Sequence, residues 1–342
     1  MGGLDNVAMF SDQTPYHWKW QAFQRSTLAA SQWCSYHERQ CPCKAPIFDV
    51  SGPPCTDFSL SGKQLRWHGP TAGPTLAFFR KHALLQTPIV IIENVRSFPK
   101  SYIEVNLPEH CVYRQEVASS DSGFQLNRRS RAYYICLHAG RADMMLDWED
   151  LYKRLSHAMY VDTKPHHAFL STSHDVWTEE LVLAQRRDIP PCLQQPGFTN
   201  WYYLLTANEQ ARLYHYQHLQ AMLHGSRRDR RDPLDSVYNL GDNPAARLCW
   251  SVTSNCIPTY RRTATIMWIA GLCRGMTTQE KLASLGWPVF PQLANADLEH
   301  FCPSPDDGRH MLGNAMNLAS VTTVLMSALA CTRLRDPHGA CQ

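Results

Sequence analysis

Residues 46–59 read Pro-Ile-Phe-Asp-Val-Ser-Gly-Pro-Pro-Cys-Thr-Asp-Phe-Ser, a short apolar strand running into a stiff Pro-Pro turn that presents one cysteine, Cys55, just past the strand end. A thiol held there is placed to act as a nucleophile. A second run, Pro88-Ile-Val-Ile-Ile-Glu-Asn-Val95, repeats the geometry with Glu93 and Asn94 where Cys55 stood. In an open parallel sheet the carboxyl ends of the strands line one crevice, so a thiol and a carboxyl delivered this way work on one cluster of substrate atoms. The pairing points to a cysteine adding to a pyrimidine ring while the acid supports a ring nitrogen.

The elements that must hold these residues follow from the apolar pattern. Short strands are expected at 47–50, 89–92 and 132–138, and residues 75–86 read as a crossover helix with Leu76, Phe79 and Ala83 on one face. That alternation is the signature of an α/β sheet. From about 147 to 257 the texture becomes irregular, aromatic and rich in Pro and His, as in an inserted region. After Pro258 regularity returns, and Leu318, Val321, Leu325 and Leu329 mark a closing amphipathic helix, with Gly313-Asn314-Ala315 at its opening and Asn314 as its cap. The expected division is therefore 1–146, 147–257 and 258–335, the last part folding back onto the first.

A chain of 342 residues with 44% hydrophobic content buries a full core and suits one large domain with a smaller insert. The formal charge of +3 does not by itself mark a nucleic-acid protein. Its arginines are grouped, however, at 128–131, 227–231 and 261–262, either as phosphate contacts or as solvated faces. Thirteen cysteines, an odd count, follow an opening with no basic-then-apolar signal segment. This argues against a secreted disulfide framework and for a reducing, intracellular compartment. No apolar run approaches the ~20 residues of a membrane span, so a soluble protein is expected.

The same residues resemble the DNA (cytosine-5) methyltransferase family, and further matches occur in the family's order. Pro53-Pro54-Cys55 with Phe58-Ser59 and 61–64 is similar to its catalytic loop, and Glu93-Asn94-Val95 to its Glu-Asn-Val signature. Residues 127–135, Asn-Arg-Arg-Ser-Arg-Ala-Tyr-Tyr-Ile, resemble its Gln-x-Arg-x-Arg stretch and the strand after it, with Asn127 in place of Gln. Arg274, Thr277 and Glu280, followed by Gly286-Trp287-Pro288, resemble its late Arg-x-Leu-Thr-x-x-Glu segment, and Gly313-Asn314-Ala315 its final Gly-Asn-Ser/Ala. Five motifs in sequence, over roughly 45–140 and 258–335, are hard to obtain by chance.

The resemblance implies a doubly wound, Rossmann-like methyltransferase sheet with an inserted target-recognition region, and S-adenosylmethionine as methyl donor. It implies Cys55 as the nucleophile that adds to carbon 6 of cytosine, with Glu93 and Asn94 beside it. Arg129 and Arg131 would fix the base carbonyl or a phosphate and favour the thiolate. Leu76, Asn314 and Ala315 match positions against the donor. The implied partner is DNA with its cytosine flipped out, and the nucleus if the source is eukaryotic. A transfer RNA substrate, or a catalytically silent DNA-binding relative, stays open as an alternative. One part of the family pattern is unmatched: its opening strand and Phe-x-Gly-x-Gly-like loop, of which Gly2-Gly3 would be the tail, and the ribose-binding acid after it. Weak donor binding is expected in consequence, by truncation or by divergence, unless Asp5 or Asp12 substitutes.

Blander features set the contrast. Pro190-Pro191-Cys192 repeats the tripeptide, but Arg186-Arg187-Asp188 precedes it instead of an apolar strand, so Cys192 reads as loop. Cys34, His37, Cys41 and Cys43 are zinc-ligand types, yet lack the paired Cys-x-x-Cys arms of a structural zinc site, and His166-His167 has no carboxylate or cysteine pattern nearby and reads as a loop pair. No metal is expected.

Overall fold

The computed structural model describes residues 4–5, 14–59, 62, 64–121, 124, 126–190, 200–226, 232–260, 265–292 and 304–335. Gly2-Gly3, Asp12, the 227–231 and 261–262 arginines and Cys192 lie outside the described residues. In chain order the elements are β1 (Leu4–Asp5), α1 (Tyr16–Gln24), β2 (Thr27–Leu28), β3 (Ser31–Cys34), β4 (Arg39–Pro42), β5 (Phe48–Ser51), α2 (Ala72–Leu85), β6 (Ile89–Asn94), α3 (Lys100–Asn106), β7 (His110–Val117), β8 (Arg131–His138), β9 (Ala142–Met144) and α4 (Trp148–Ala158). They continue with α5 (Ser173–Arg186), α6 (Ala207–Ser226), β10 (Val237–Asn239), β11 (Met267–Ile269), β12 (Arg274–Gly275), α7 (Thr278–Ala283), α8 (Pro305–Leu312), α9 (Leu318–Cys331) and β13 (Thr332–Leu334). The expected strands, crossover helix and closing helix are all present.

The chain forms two compact units, one from 1–117, 130–155 and 323–342, the other from 118–129 and 156–322. The first unit is α/β, built on a mixed sheet of order β5-β6-β8-β7. β5 and β6 run parallel, while β8 runs antiparallel to both β6 and β7. All six residues of β6 are buried, which requires cover on both faces. On one face Val90, Ile92, Ala132, Tyr134 and Cys136 join Leu76 and Phe79 of α2 and Tyr102 and Ile103 of α3 in a single core. Each such side chain contributes about 1.5–3 kcal/mol by leaving water. On the other face Ile89, Ile91, Tyr133, Ile135 and Leu137 are equally buried. Among the described residues no strand pairs with the outer edge of β5.

The second unit holds the three-stranded sheet β10-β11-β12 and two apolar clusters, one around Met267, Leu282, Leu285 and Phe290, the other around Trp201, Tyr216, Tyr238 and Trp250. The Arg-x-x-Thr-x-x-Glu spacing has a structural reason here. Thr277 caps α7 by accepting from the Glu280 backbone N–H at 3.1 Å, and Glu280 returns to accept from the Thr277 N–H at 2.9 Å. The same carboxylate takes Arg274 in a two-point pair at 2.8 and 2.7 Å, with Glu280 fully buried. Gly286 follows with φ of 86°, a backbone that disfavours a side chain, and a Cβ there would press on Leu318 at 3.3 Å.

The start of the closing helix differs from expectation. Gly313 and Asn314 end α8, and the cap of α9 is Asn317, whose Oδ1 accepts from the Ser320 N–H at 2.9 Å. Two asparagines three residues apart both suit a cap, and the one nearer the apolar helix takes the role.

Because the Arg274–Glu280 pair is buried, removing one partner strands the other. Glu280→Ala is expected to cost about 3–5 kcal/mol by leaving an uncompensated guanidinium, against about 1 kcal/mol for Thr277→Ala through loss of the cap. Urea unfolding of both variants measures this ratio, and equal losses would remove the ion pair's special role.

Candidate active site

The parallel pairing of β5 with β6 sets Ser51 level with Ile92, so the residues that follow β5 arrive beside the end of β6. Asn94 makes that contact. Its Nδ2 donates to the Pro53 carbonyl at 3.2 Å and its Oδ1 accepts from the Val95 N–H at 2.9 Å, with the side chain wholly buried. Downstream of Cys55 the chain turns tightly, the N–H groups of Phe58 and Ser59 both reaching the Cys55 carbonyl, at 3.0 and 2.9 Å. Ser97 Oγ then donates to the Phe58 carbonyl at 2.7 Å. The Phe58 ring is buried edge-on against Trp67 and Phe98, at 4.3 and 4.8 Å between centroids. Cys55 is thus gripped on both sides while it stays partly exposed.

Asp57 adds a third anchor that the sequence did not flag. Its carboxylate accepts from the Thr71 N–H at 3.0 Å and from Thr71 Oγ1, at the start of α2, where a helix favours negative charge. Gly69 permits the approach, since a Cβ there would sit 2.0 Å from the Asp57 carboxyl. The only hint in the sequence is an Asp two residues after the cysteine.

Glu93 and Asn94 lie inside β6, two residues beyond the expected strand end, because β8 pairs with both. Alternation then sends them to opposite faces. Glu93 stands opposite Tyr133, and Arg131 is its diagonal neighbour on the same face, where Nε meets Glu93 Oε1 at 2.8 Å with both side chains mostly buried. An all-parallel sheet would not bring the start of a later strand to this edge. The antiparallel run of β8 does, and it places Arg131 Nε against the acid. Arg129 belongs to the second unit, where its side chain is buried and its N–H donates to Ser119 Oγ at 3.2 Å. Asn127 of that unit donates to the Pro258 carbonyl at 3.1 Å.

Burial raises the pKa of Cys136, which favours the protonated thiol in the core of the sheet. His82 of α2 faces Asp49 of β5 at 3.5 Å and Thr87 Oγ1 at 2.9 Å. Burial pushes its pKa down to about 4 despite the opposing pull of Asp49, so near neutrality it braces β5 as an uncharged ring.

Of the positions matched to the donor, Leu76 lies in the first unit and Asn314 and Ala315 in the second. Leu76 is 2% exposed and spent in the core with Phe79 and Ile92. Asn314 and Ala315 follow α8 in the second unit, and no side chain is described at Asp5. His166, expected to lack a carboxylate, finds one 69 positions away, its Nδ1 lying 2.8 Å from Asp235. Cys34, His37 and Cys41 are drawn together despite their spacing.

No family model matches the sequence, and no curated protein matches it. Solved structures similar to the chain are methyltransferases. One is the Entamoeba histolytica methyltransferase EhMeth, 14% identical over 83% of this chain and 76% of that one, with a TM-score of 0.40. The S. pombe Dnmt2 methyltransferase is 14% identical over 83% and 77%, with 0.39. A Spodoptera frugiperda DNMT2 mutant is 16% identical over 83% and 79%, with 0.38. Among the described residues no helix is long and apolar enough to cross a membrane.

If Asn94 is the clamp between the two strand ends, Asn94→Ala should cost about 1–3 kcal/mol by leaving the Pro53 carbonyl and Val95 N–H without it. It should also speed iodoacetamide labelling of Cys55 several-fold. Peptide mass spectrometry reads the second effect, and an unchanged labelling rate would show that Cys55 does not depend on this clamp.

Proposed function

We propose that the chain is a cytosine-5 methyltransferase acting on DNA, with Cys55 as its nucleophile. The observation that carries the proposal is the turn after β5, clamped by Asn94, the last residue of β6, which brings Cys55 to the strand end where Glu93 sits with Arg131 against it. The five motifs in family order support the same reading.

Cytosine is electron-poor at carbon 6 and nearly unreactive at carbon 5. Addition of the Cys55 thiolate to carbon 6 forms the S–C bond and moves the ring's electron pair toward carbon 5. Glu93, held by Arg131, steadies the ring nitrogen N3 and the exocyclic amine as charge develops. At the end a base must take the proton on carbon 5, whose bonding pair re-forms the C5–C6 double bond as the S–C bond breaks and returns the Cys55 thiolate, a competent leaving group. Asn94 serves as a positioning residue for the Cys55 turn. A base stacked in a duplex is out of reach of this thiol, so the cytosine must be flipped out. S-adenosylmethionine is the methyl donor in this proposal, and nothing in the described residues places its methyl group. Target recognition is assigned to residues 147–257.

Two predictions follow from these assignments. Nucleic acid carrying 5-azacytosine accepts a thiolate at carbon 6 without methyl transfer, so it tests the acceptor side alone. Cys55→Ser should abolish the denaturation-resistant adduct, and Cys192→Ser should leave it intact. Presenting the analogue in DNA and in transfer RNA tells the two substrates apart. An adduct on RNA alone would replace DNA by RNA, and none on either would favour the silent binding relative.

The second concerns the donor. Calorimetric titration of S-adenosylmethionine should give a Kd no tighter than about 0.1 mM, roughly 5 kcal/mol of binding. Micromolar binding would overturn this expectation and place the donor's contacts among residues that include 1–13.

A further inference from the structure

Away from Cys55, the β3–β4 hairpin gathers three metal-ligand side chains. Its register sets Cys34 opposite Arg39 and Gln32 opposite Cys41. Facing residues of an antiparallel pair share a side, so Cys34 and Cys41 stand as diagonal neighbours on one face. His37 lies in the connection, which turns back through Glu38 at φ of 49°. Its Nδ1 sits 3.4 Å from Cys34 Sγ and 3.5 Å from Cys41 Sγ, and all three ligand atoms fall within 4.8 Å of one another. The edge of the Tyr36 ring, 4.9 Å away at 79°, supports the imidazole.

Those separations have chemical meaning. With Zn–S of about 2.3 Å and Zn–N of about 2.0 Å, the S-to-N edge of a tetrahedron is roughly 3.5 Å. Two thiolates and an imidazole suit zinc and disfavour magnesium or calcium, which take oxygen ligands. We propose that Cys34 Sγ, Cys41 Sγ and His37 Nδ1 bind one zinc ion on this hairpin, with the fourth position open to solvent. His37 is exposed and both cysteines are partly so, which gives the ion a path in. Cys43 lies two residues beyond Cys41, further from the turn, and is not within the group of three. Binding forms two S–Zn bonds and one N–Zn bond and releases the two thiol protons, with no change of oxidation state. A two-stranded hairpin is marginal by itself, and the ion ties its strands and turn together.

The test uses the full chain, purified under reducing conditions and desalted. Elemental analysis should find about one zinc per chain, and Cys34→Ser, His37→Ala and Cys41→Ser should each lower zinc affinity at least about tenfold. Circular dichroism should show each variant folded, since the cluster lies on the surface. Cobalt substitution should give the absorption of a tetrahedral thiolate site in the wild type and in Cys43→Ser. Zinc content equal in the wild type and the three variants would overturn the site. Loss of metal in Cys43→Ser would overturn the open fourth position. A Cys34–Cys41 disulfide that persists in the presence of zinc and reductant would replace the metal site by a redox pair.

Discussion

The side-chain amide of Asn94 is the interaction on which the Cys55 site depends. It joins the end of β6 to the Pro53 carbonyl after β5, so two neighbouring strands present their carboxyl ends as one fixed edge. A proline carbonyl in a buried turn needs a donor, and a proline nitrogen supplies none of its own. Asn94 meets that need, and Cys55 follows two residues on, partly exposed. Asn94 thereby holds the backbone that carries Cys55.

The alternation of a strand explains how adjacent residues divide the labour. Asn94 points to the α2 and α3 side, where the turn is anchored, and Glu93 to the opposite side, where Arg131 waits. A dipeptide of acid and amide at a strand end thus serves two faces at once. The mixed direction of the sheet completes the set, because β8 enters at the edge where β5 and β6 leave.

In the second unit the same economy appears at Arg274, Thr277 and Glu280. One carboxylate closes a helix cap and neutralises a buried guanidinium, so the spacing of the motif is explained by stability alone.

The sequence by itself determined three of the four strands of the central sheet and the presence of the crossover and closing helices, because apolar periodicity marks such elements, but it missed β7 and misjudged the covered side of α9, where Val324 and Ala328 are buried and Leu329 is half exposed. It also singled out Cys55 from Cys192 by the apolar strand that precedes only the former. What it left open depends on residues distant along the chain. That Arg131 takes Glu93, that Asp57 needs Gly69 and Thr71, and that Asn317 caps α9 ahead of Asn314 are matters of register and packing. Cys34, His37 and Cys41 show the same limit, since their spacing fits no familiar zinc pattern and only the hairpin's register sets them on one face. Local pattern decides which element forms, and the tertiary structure decides which side chains meet.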